Sequence, residues 1–314
     1  MLIVGKIPPP IGGVTIHVQR LLQSIRNDKI DHKFISLTKS NLLKITSKLF
    51  AYKIVFLHTS NSFIRLFFVI ISRLSGTRLL FTFHGNLGRF SGFRNMIDEL
   101  SIRLATVPIM INKKSFERGK ELNSRSQFIP AFIPPITIQD LPAALGMEVK
   151  DFVDLDDKIL CCTNAYNISF DVDGEEIYCG SKLVKLFNEL PSHKLIFSDP
   201  SGNYKKYLLE QGIEIPNNVL MITEPHDFIQ IIKLSKIFIR ATLTDGDSLS
   251  VKEGLFFKRI VICSDCVDRP KGVVLYENNN YDDLKDKIEN ISTFKNEKSE
   301  ILNGYDLLKK LIET

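Results

Sequence analysis

The chain has 314 residues, 44% of them hydrophobic and 25% charged, with five cysteines and no tryptophan. That length suits two domains with real cores, and the composition excludes a fibrous, low-complexity or multi-spanning membrane protein. The net charge of +5 divides unevenly, with +13 on residues 1–150 and −8 on residues 151–314, so the first half suits an anionic partner.

Met1 to Ile7 reads as a strand without the basic leader and long apolar core of a signal peptide. A turn, Pro-Pro-Pro-Ile-Gly-Gly-Val, leads into a helix with Ile16, Leu21, Leu22 and Ile25 at helical spacing. Gly12 and Gly13 let a ligand oxygen approach the backbone at that helix start. Strands follow at Lys33–Leu37 and Ile54–Leu57, the second ending in His58. Phe63–Leu74 is an apolar helix, about half of what a bilayer crossing needs and interrupted by Arg65 and Arg73. It reads as a buried helix of an α/β domain, with a membrane-surface helix as the alternative. Arg78–Phe83 is a strand that delivers His84 to its carboxyl end, where α/β proteins bind ligands. The loop beyond it is glycine-rich and basic, with Arg89 and Arg94 able to meet an anion. A strand at Ile109–Asn112 and a helix from Ser115 complete this half.

Prolines in Pro-Ala-Phe-Ile-Pro-Pro mark a boundary, with residues 137–150 as hinge. Strands are then expected at Lys158–Thr163, Lys194–Ser198, Val219–Thr223, Ile237–Ile239 and Arg259–Cys263. They alternate with helices at Glu175–Leu190, Tyr204–Gln211, Asp227–Ser235 and Leu249–Phe257, which means a second parallel sheet. Helices at about 282–290 and 297–313 end the chain. The cysteines, at 161, 162, 179, 263 and 266, are irregularly spaced and odd in number. They read as reduced thiols of a cytoplasmic protein, and Cys263 and Cys266 lack the second pair of a zinc site.

The segment from Ile237 to Tyr276 places Asp245 in a loop and Glu253 eight residues later on the following helix, with Ser248 as its cap. This spacing resembles the acid-x7-acid region of family-4 glycosyltransferases, retaining sugar-nucleotide enzymes of the GT-B fold, with Asp in place of the usual first Glu. Pro-Pro-Pro-Ile-Gly-Gly-Val-x-x-His17 is similar to that family's N-terminal glycine loop, and Thr-Phe-His84-Gly to its histidine segment. The resemblance implies an α/β chain of two Rossmann-like domains facing across a cleft. Residues 1–136 would form the acceptor-side domain, with a helix at about 297–314 packing back on it, and residues 151–296 the donor domain.

It further implies transfer of a sugar from a nucleotide-sugar to a glycan or lipid-diphosphate-linked acceptor in bacterial surface polysaccharide synthesis. No cofactor, metal or nucleic acid is implied. Glu253 would bind the ribose, while His84 and Asp245 would flank the sugar. Gly12, Gly13, Asn164 and Ser248 would line the donor, and His17, Arg89 and Arg94 the acceptor side. One departure stands out. The Arg and Lys that hold the diphosphate in the family are missing from the loop after residue 163, which carries Asp171 and Asp173. Arg240, Lys252, Arg269 and Lys271 are the candidate replacements. The departure keeps open a degenerate binding or scaffold subunit, and an epimerase of the same fold is a more distant alternative. The basic first half further suggests peripheral attachment to the anionic inner face of the membrane.

Overall fold

The computed structural model describes residues 1–9, 12–88, 92–245, 248–294 and 301–313. The chain divides into two compact units, Met1–Ile136 with Leu302–Thr314, and Thr137–Ile301.

The first unit is built on six parallel strands, β1 (Leu2–Gly5), β2 (Lys33–Ser36), β3 (Ile54–His58), β4 (Arg78–Phe83), β5 (Val107–Met110) and β6 (Gln127–Phe128). Their order is β2-β1-β3-β4-β5-β6. The connecting helices are α1 (Gly13–Asn27), α2 (Leu42–Leu49), α3 (Ser62–Ser75), α4 (Phe93–Leu104) and α5 (Lys113–Leu122). Strand side chains alternate between faces. Ile3, Phe56, Leu80 and Ile109 pack with Val18, Leu21 and Ile25 of α1, whereas Leu2, Val4, Val55, Leu57 and Phe81 pack with α2, α3 and α4.

The second unit begins with α6 (Ala143–Asp154), where a hinge was expected. Leu145 and Val149 on this helix are buried in the second unit's core, which is why the segment folds instead of acting as a linker. Its strands are β7 (Ile159–Asn164), β8 (His193–Ser198), β9 (Val219–Ile222), β10 (Ile237–Arg240), β11 (Ile260–Ser264) and β12 (Val273–Tyr276), in the parallel order β12-β11-β10-β7-β8-β9. The helices are α7 (Gly180–Phe187), α8 (Asn203–Glu210), α9 (Phe228–Leu234), α10 (Leu249–Phe256) and α11 (Tyr281–Glu289).

α7 is shorter than the helix expected over Glu175–Leu190. Cys179 takes a left-handed conformation, φ 48°, at its start, and the Glu176 carboxylate turns back to accept the Ser181 N–H at 3.0 Å and the Tyr204 hydroxyl at 2.8 Å. An acid is favourable at a helix N-terminus, so the sequence stops the helix there. The last helix, α12 (Gly304–Glu313), belongs to the first unit. Gly304 donates its N–H to Phe132 O at 2.7 Å, and a side chain at this position would collide with the Pro130 carbonyl. Lys309 reaches Asp28 at 2.7 Å. The first turn of the expected helix, 297–300, lies outside the described residues.

α3 is buried on one side only. Phe68, Val69 and Arg65 face the core, while Phe63, Phe67, Ile70 and Leu74 are exposed. Arg65 therefore does not belong to the basic surface. Its guanidinium pairs with Asp98 at 3.1 Å and lies 4.2 Å from the centre of the Phe83 ring.

Candidate functional site

In both sheets the strand order reverses once, between β1 and β3 in the first unit and between β7 and β10 in the second. Open α/β sheets bind ligands at the carboxyl ends of the strands flanking such a reversal.

In the second unit β7 ends at Asn164 and β10 at Arg240, so strand length alone brings these two residues to the crevice. Arg240 Nη1 donates to the Asn164 carbonyl at 3.3 Å. The Asn164 side-chain oxygen is buried with no partner among the described residues, and a buried acceptor of that kind costs free energy until a donor reaches it. Arg240 grips Asp245 with both arms of its guanidinium, at 3.1 and 3.2 Å, and Arg269 reaches the same carboxylate at 2.8 Å. All three side chains are at most 10% exposed. Burial pushes the Asp245 carboxyl up, but the Arg240 charge and the hydrogen bonds from both arginines outweigh it and hold it below its ordinary value. Burial likewise disfavours the charged Arg240, and Asp245 more than compensates. The Arg240 guanidinium also lies 4.9 Å from the centre of the Tyr178 ring. Two of the four replacement cations, Arg240 and Arg269, thus meet at one point, beside the loop that lacks the family's pair. Lys271 is exposed.

Asp245 was expected beside a sugar, and its carboxylate is instead shared by two arginines. The resulting cluster holds two positive charges and one negative in a fixed, largely buried geometry.

Glu253 is 6% exposed on α10. A side chain at Gly254 would meet Val261 at 2.8 Å and Phe238 at 3.3 Å, so glycine lets α10 close on the sheet. Ser248 stands at the N-cap but makes no capping bond with its side chain, which lies 3.2 Å from Ser250 Oγ.

In the first unit, Gly12 and Gly13 begin α1, with the Thr15 hydroxyl donating to Gly12 O at 3.0 Å. His17, one turn on, is 2% exposed and belongs to the interior, where its Nδ1–H donates to Ala131 O at 2.7 Å. His58 and His84 end or follow neighbouring strands, and His58 Nδ1 lies 3.2 Å from His84 Nε2. The His17 ring centre is 5.2 Å from that of His58 and 5.1 Å from that of His84. Burial, and then the charge of His17, push the imidazolium forms of His58 and His84 well below the ordinary histidine range, so both are neutral at pH 7.

One nitrogen from each of the three lies within 4.8 Å of the others. A tetrahedral zinc with bonds of 2.0–2.1 Å has nitrogen–nitrogen edges of about 3.3 Å. The His58–His84 pair spans such an edge, and His17 meets both rings by ring-to-ring contact.

His58 is the member the sequence reading passed over. The available signal was its place at the end of β3, one strand over from His84. Arg94 is exposed on α4, and Arg89 lies outside the described residues.

No protein-family model matches the sequence, and no curated protein is significantly similar to it. Solved structures do resemble it. Anabaena HepE in complex with UDP aligns over 98% of this chain and 94% of its own, with TM-score 0.68 and 13% identity. A glycosyltransferase from Rickettsia africae aligns over 99% and 93%, with TM-score 0.64 and 12% identity. The lipopolysaccharide outer core galactosyltransferase WaaB aligns over 99% and 94%, with TM-score 0.59 and 14% identity. At these identities the likeness shows the fold, the two-Rossmann-unit GT-B architecture.

Proposed function

We propose that this protein is a retaining glycosyltransferase that takes a sugar from a nucleotide-sugar and passes it to a glycan or lipid-linked acceptor of bacterial surface polysaccharide synthesis. The observation that carries the reading is the β7/β10 crevice. There an unsatisfied Asn164 oxygen, a fixed pair of arginines and an acid on the next helix stand where α/β folds bind nucleotides. Support also comes from HepE, solved with UDP and with UDP-glucose.

In this reading the second unit binds the donor. Glu253 accepts hydrogen bonds from the ribose hydroxyls, and Ser248 and Lys271 stand at the edge of the same site. Arg240 and Arg269 stabilise the diphosphate charge, most strongly as it grows on the leaving group. Asp245 acts by positioning both guanidinium groups. The first unit serves the acceptor through neutral His84, backed by His58 and His17, while Gly12 and Gly13 offer backbone N–H groups to donor phosphate oxygens. The positive charges that a metal would otherwise supply come from the arginines, and no cofactor takes part.

Attachment to an anionic membrane fits the first unit. None of the described helices is long and apolar enough to cross a bilayer. However, Phe63, Phe67, Ile70 and Leu74 line the outer side of α3, and Phe93, Met96 and Leu100 that of neighbouring α4. Residues 32–97 contain ten Lys or Arg and no Asp or Glu. An apolar stripe beside a predominantly basic stretch suits the boundary of an anionic leaflet, on the cytoplasmic side where nucleotide-sugars are held.

Purified protein incubated with a panel of nucleotide-sugars, with and without chelator, tests the reading. Release of nucleoside diphosphate and a glycosylated product in chelator supports it. Nucleotide binding without turnover in the presence of acceptor extracts would make the protein a binding subunit instead.

A further inference from the structure

The first unit holds a cavity of about 440 Å³ at the carboxyl ends of β1, β2 and β3, outside the groups assigned above except for His58. Its walls include Lys6, Thr15, Lys39, His58, Thr59 and Asn61, and none of the described lining residues is acidic.

Four features give this cavity one chemical preference. Lys6 after β1 and Lys39 after β2 are both exposed and put two cations at its walls. The first turns of α1 and α3, helices of 15 and 14 residues, supply Val14, Thr15 and Ile64 to its lining; helix starts carry partial positive charge, and α1 adds backbone N–H groups, whereas the Ile64 N–H of α3 is taken by Asn61 Oδ1 at 3.0 Å. Hydroxyls of Thr38, Thr59 and Ser60 add polar lining. Finally, His58 is 1% exposed, and its Nε2 is buried with no hydrogen-bond partner among the described residues. When His84 Nε2–H donates to His58 Nδ1, the remaining His58 proton sits on Nε2, a donor for an oxyanion.

Two cations, two helix starts and a spare donor, with no acid among them, recognise a phosphate or diphosphate group. We infer that this cavity is the subsite for a phosphate-bearing acceptor, an assignment that rests on the reading of the first unit as the acceptor side. The volume lies within the range of small-molecule pockets and leaves room for a group attached to the phosphate. That group is either a soluble sugar or a prenyl chain, and the phosphate chemistry is common to both.

Titration calorimetry on the full chain separates these. Glucose 6-phosphate and farnesyl diphosphate are the probes, with glucose and farnesol as their phosphate-free counterparts. At least one phosphorylated probe binds while its counterpart does not, and which one binds names the source. Each of Lys6→Ala and Lys39→Ala weakens that probe by about tenfold, and the double variant by about a hundredfold, as for lost charge-assisted hydrogen bonds. Lys44→Ala on α2 leaves it unchanged, and UDP affinity stays within about twofold in all variants, since each is a local surface change. Failure of both probes to bind overturns the inference. So does an equal loss in Lys44→Ala, which would mean general surface charge, or unchanged affinity in folded Lys6→Ala/Lys39→Ala. If UDP fails to bind while the phosphate results hold, the donor reading falls and the phosphate site stands.

Discussion

Arg269 donates to Asp245 at 2.8 Å from 24 residues further along the chain, completing a carboxylate already gripped by Arg240. This contact joins the loop after β11 to the loop after β10 and fixes two guanidinium groups at one end of the sheet. Removing the acid leaves both arginines buried and unpaired. Asp245→Ala is therefore expected to lose about 3–5 kcal/mol of stability, the cost of breaking a buried pair. Urea unfolding at pH 7 measures it, and a loss below about 1 kcal/mol would place the cluster among weak surface pairs.

The same carboxylate gives a pH signature. Its folded pKa lies below the ordinary 3.8, so the unfolded chain binds the proton more readily. The contribution to stability is full above 3.8 and is lost as the pH falls from there through the lower folded value. His58 and His84 behave alike, one range higher. Both are depressed well below 6.5, so their contribution is full above 6.5 and declines as the pH falls beneath it. Stability measured against pH should drop in two stages, below about 6.5 and again below about 3.8. Asp245→Asn should weaken the second stage and leave the first.

Glu253→Ala is expected to weaken UDP by about 1.5–3 kcal/mol, as for a hydrogen bond to a charged acceptor. A 2′,3′-dideoxy analogue, which lacks the ribose hydroxyls, should lose nothing further in the variant. Equal losses for UDP and the analogue would assign Glu253 to the packing of α10.

The membrane face can be separated into its charged and apolar parts. Raising the salt towards 1 M shortens the Debye length to about 3 Å and removes most of the attraction of the lysines. Binding to anionic vesicles should fall steeply but not to zero, because the α3 and α4 stripe remains. Phe67→Ser with Leu74→Ser should abolish the residual binding in co-sedimentation at high salt, since both side chains are exposed, Leu74 at 76%. A variant that sediments like the parent would remove the stripe from the interface.

Arg65 and Asp98, each 2% exposed and 3.1 Å apart, tie α3 to α4 beneath that stripe. Asp98→Ala is expected to destabilise the first unit by about 3–5 kcal/mol, read as a lower melting temperature in calorimetry.

Much of the fold was legible in the sequence because a buried parallel strand leaves a local mark. The runs at Ile54–Leu57, Arg78–Phe83 and Ile237–Ile239 are apolar on both faces, and only a doubly covered sheet accepts that. The acid-x7-acid spacing and the glycines before α1 were likewise local. α4 and α6 were missed because an interrupted apolar pattern is decided by which core receives it, and that core is assembled from distant strands. Tertiary structure alone decided that Arg240 and Arg269 converge on Asp245, that Arg65 is buried against Asp98, and that His17, His58 and His84 meet. Each of these joins residues from different elements: α1, β3 and the end of β4 for the histidines, α3 and α4 for the buried pair, and β10 with the loops after β10 and β11 for the arginines. The pairing of β3 with β4 and of β10 with β11 sets the strand ends side by side, and no spacing along the chain encodes that adjacency.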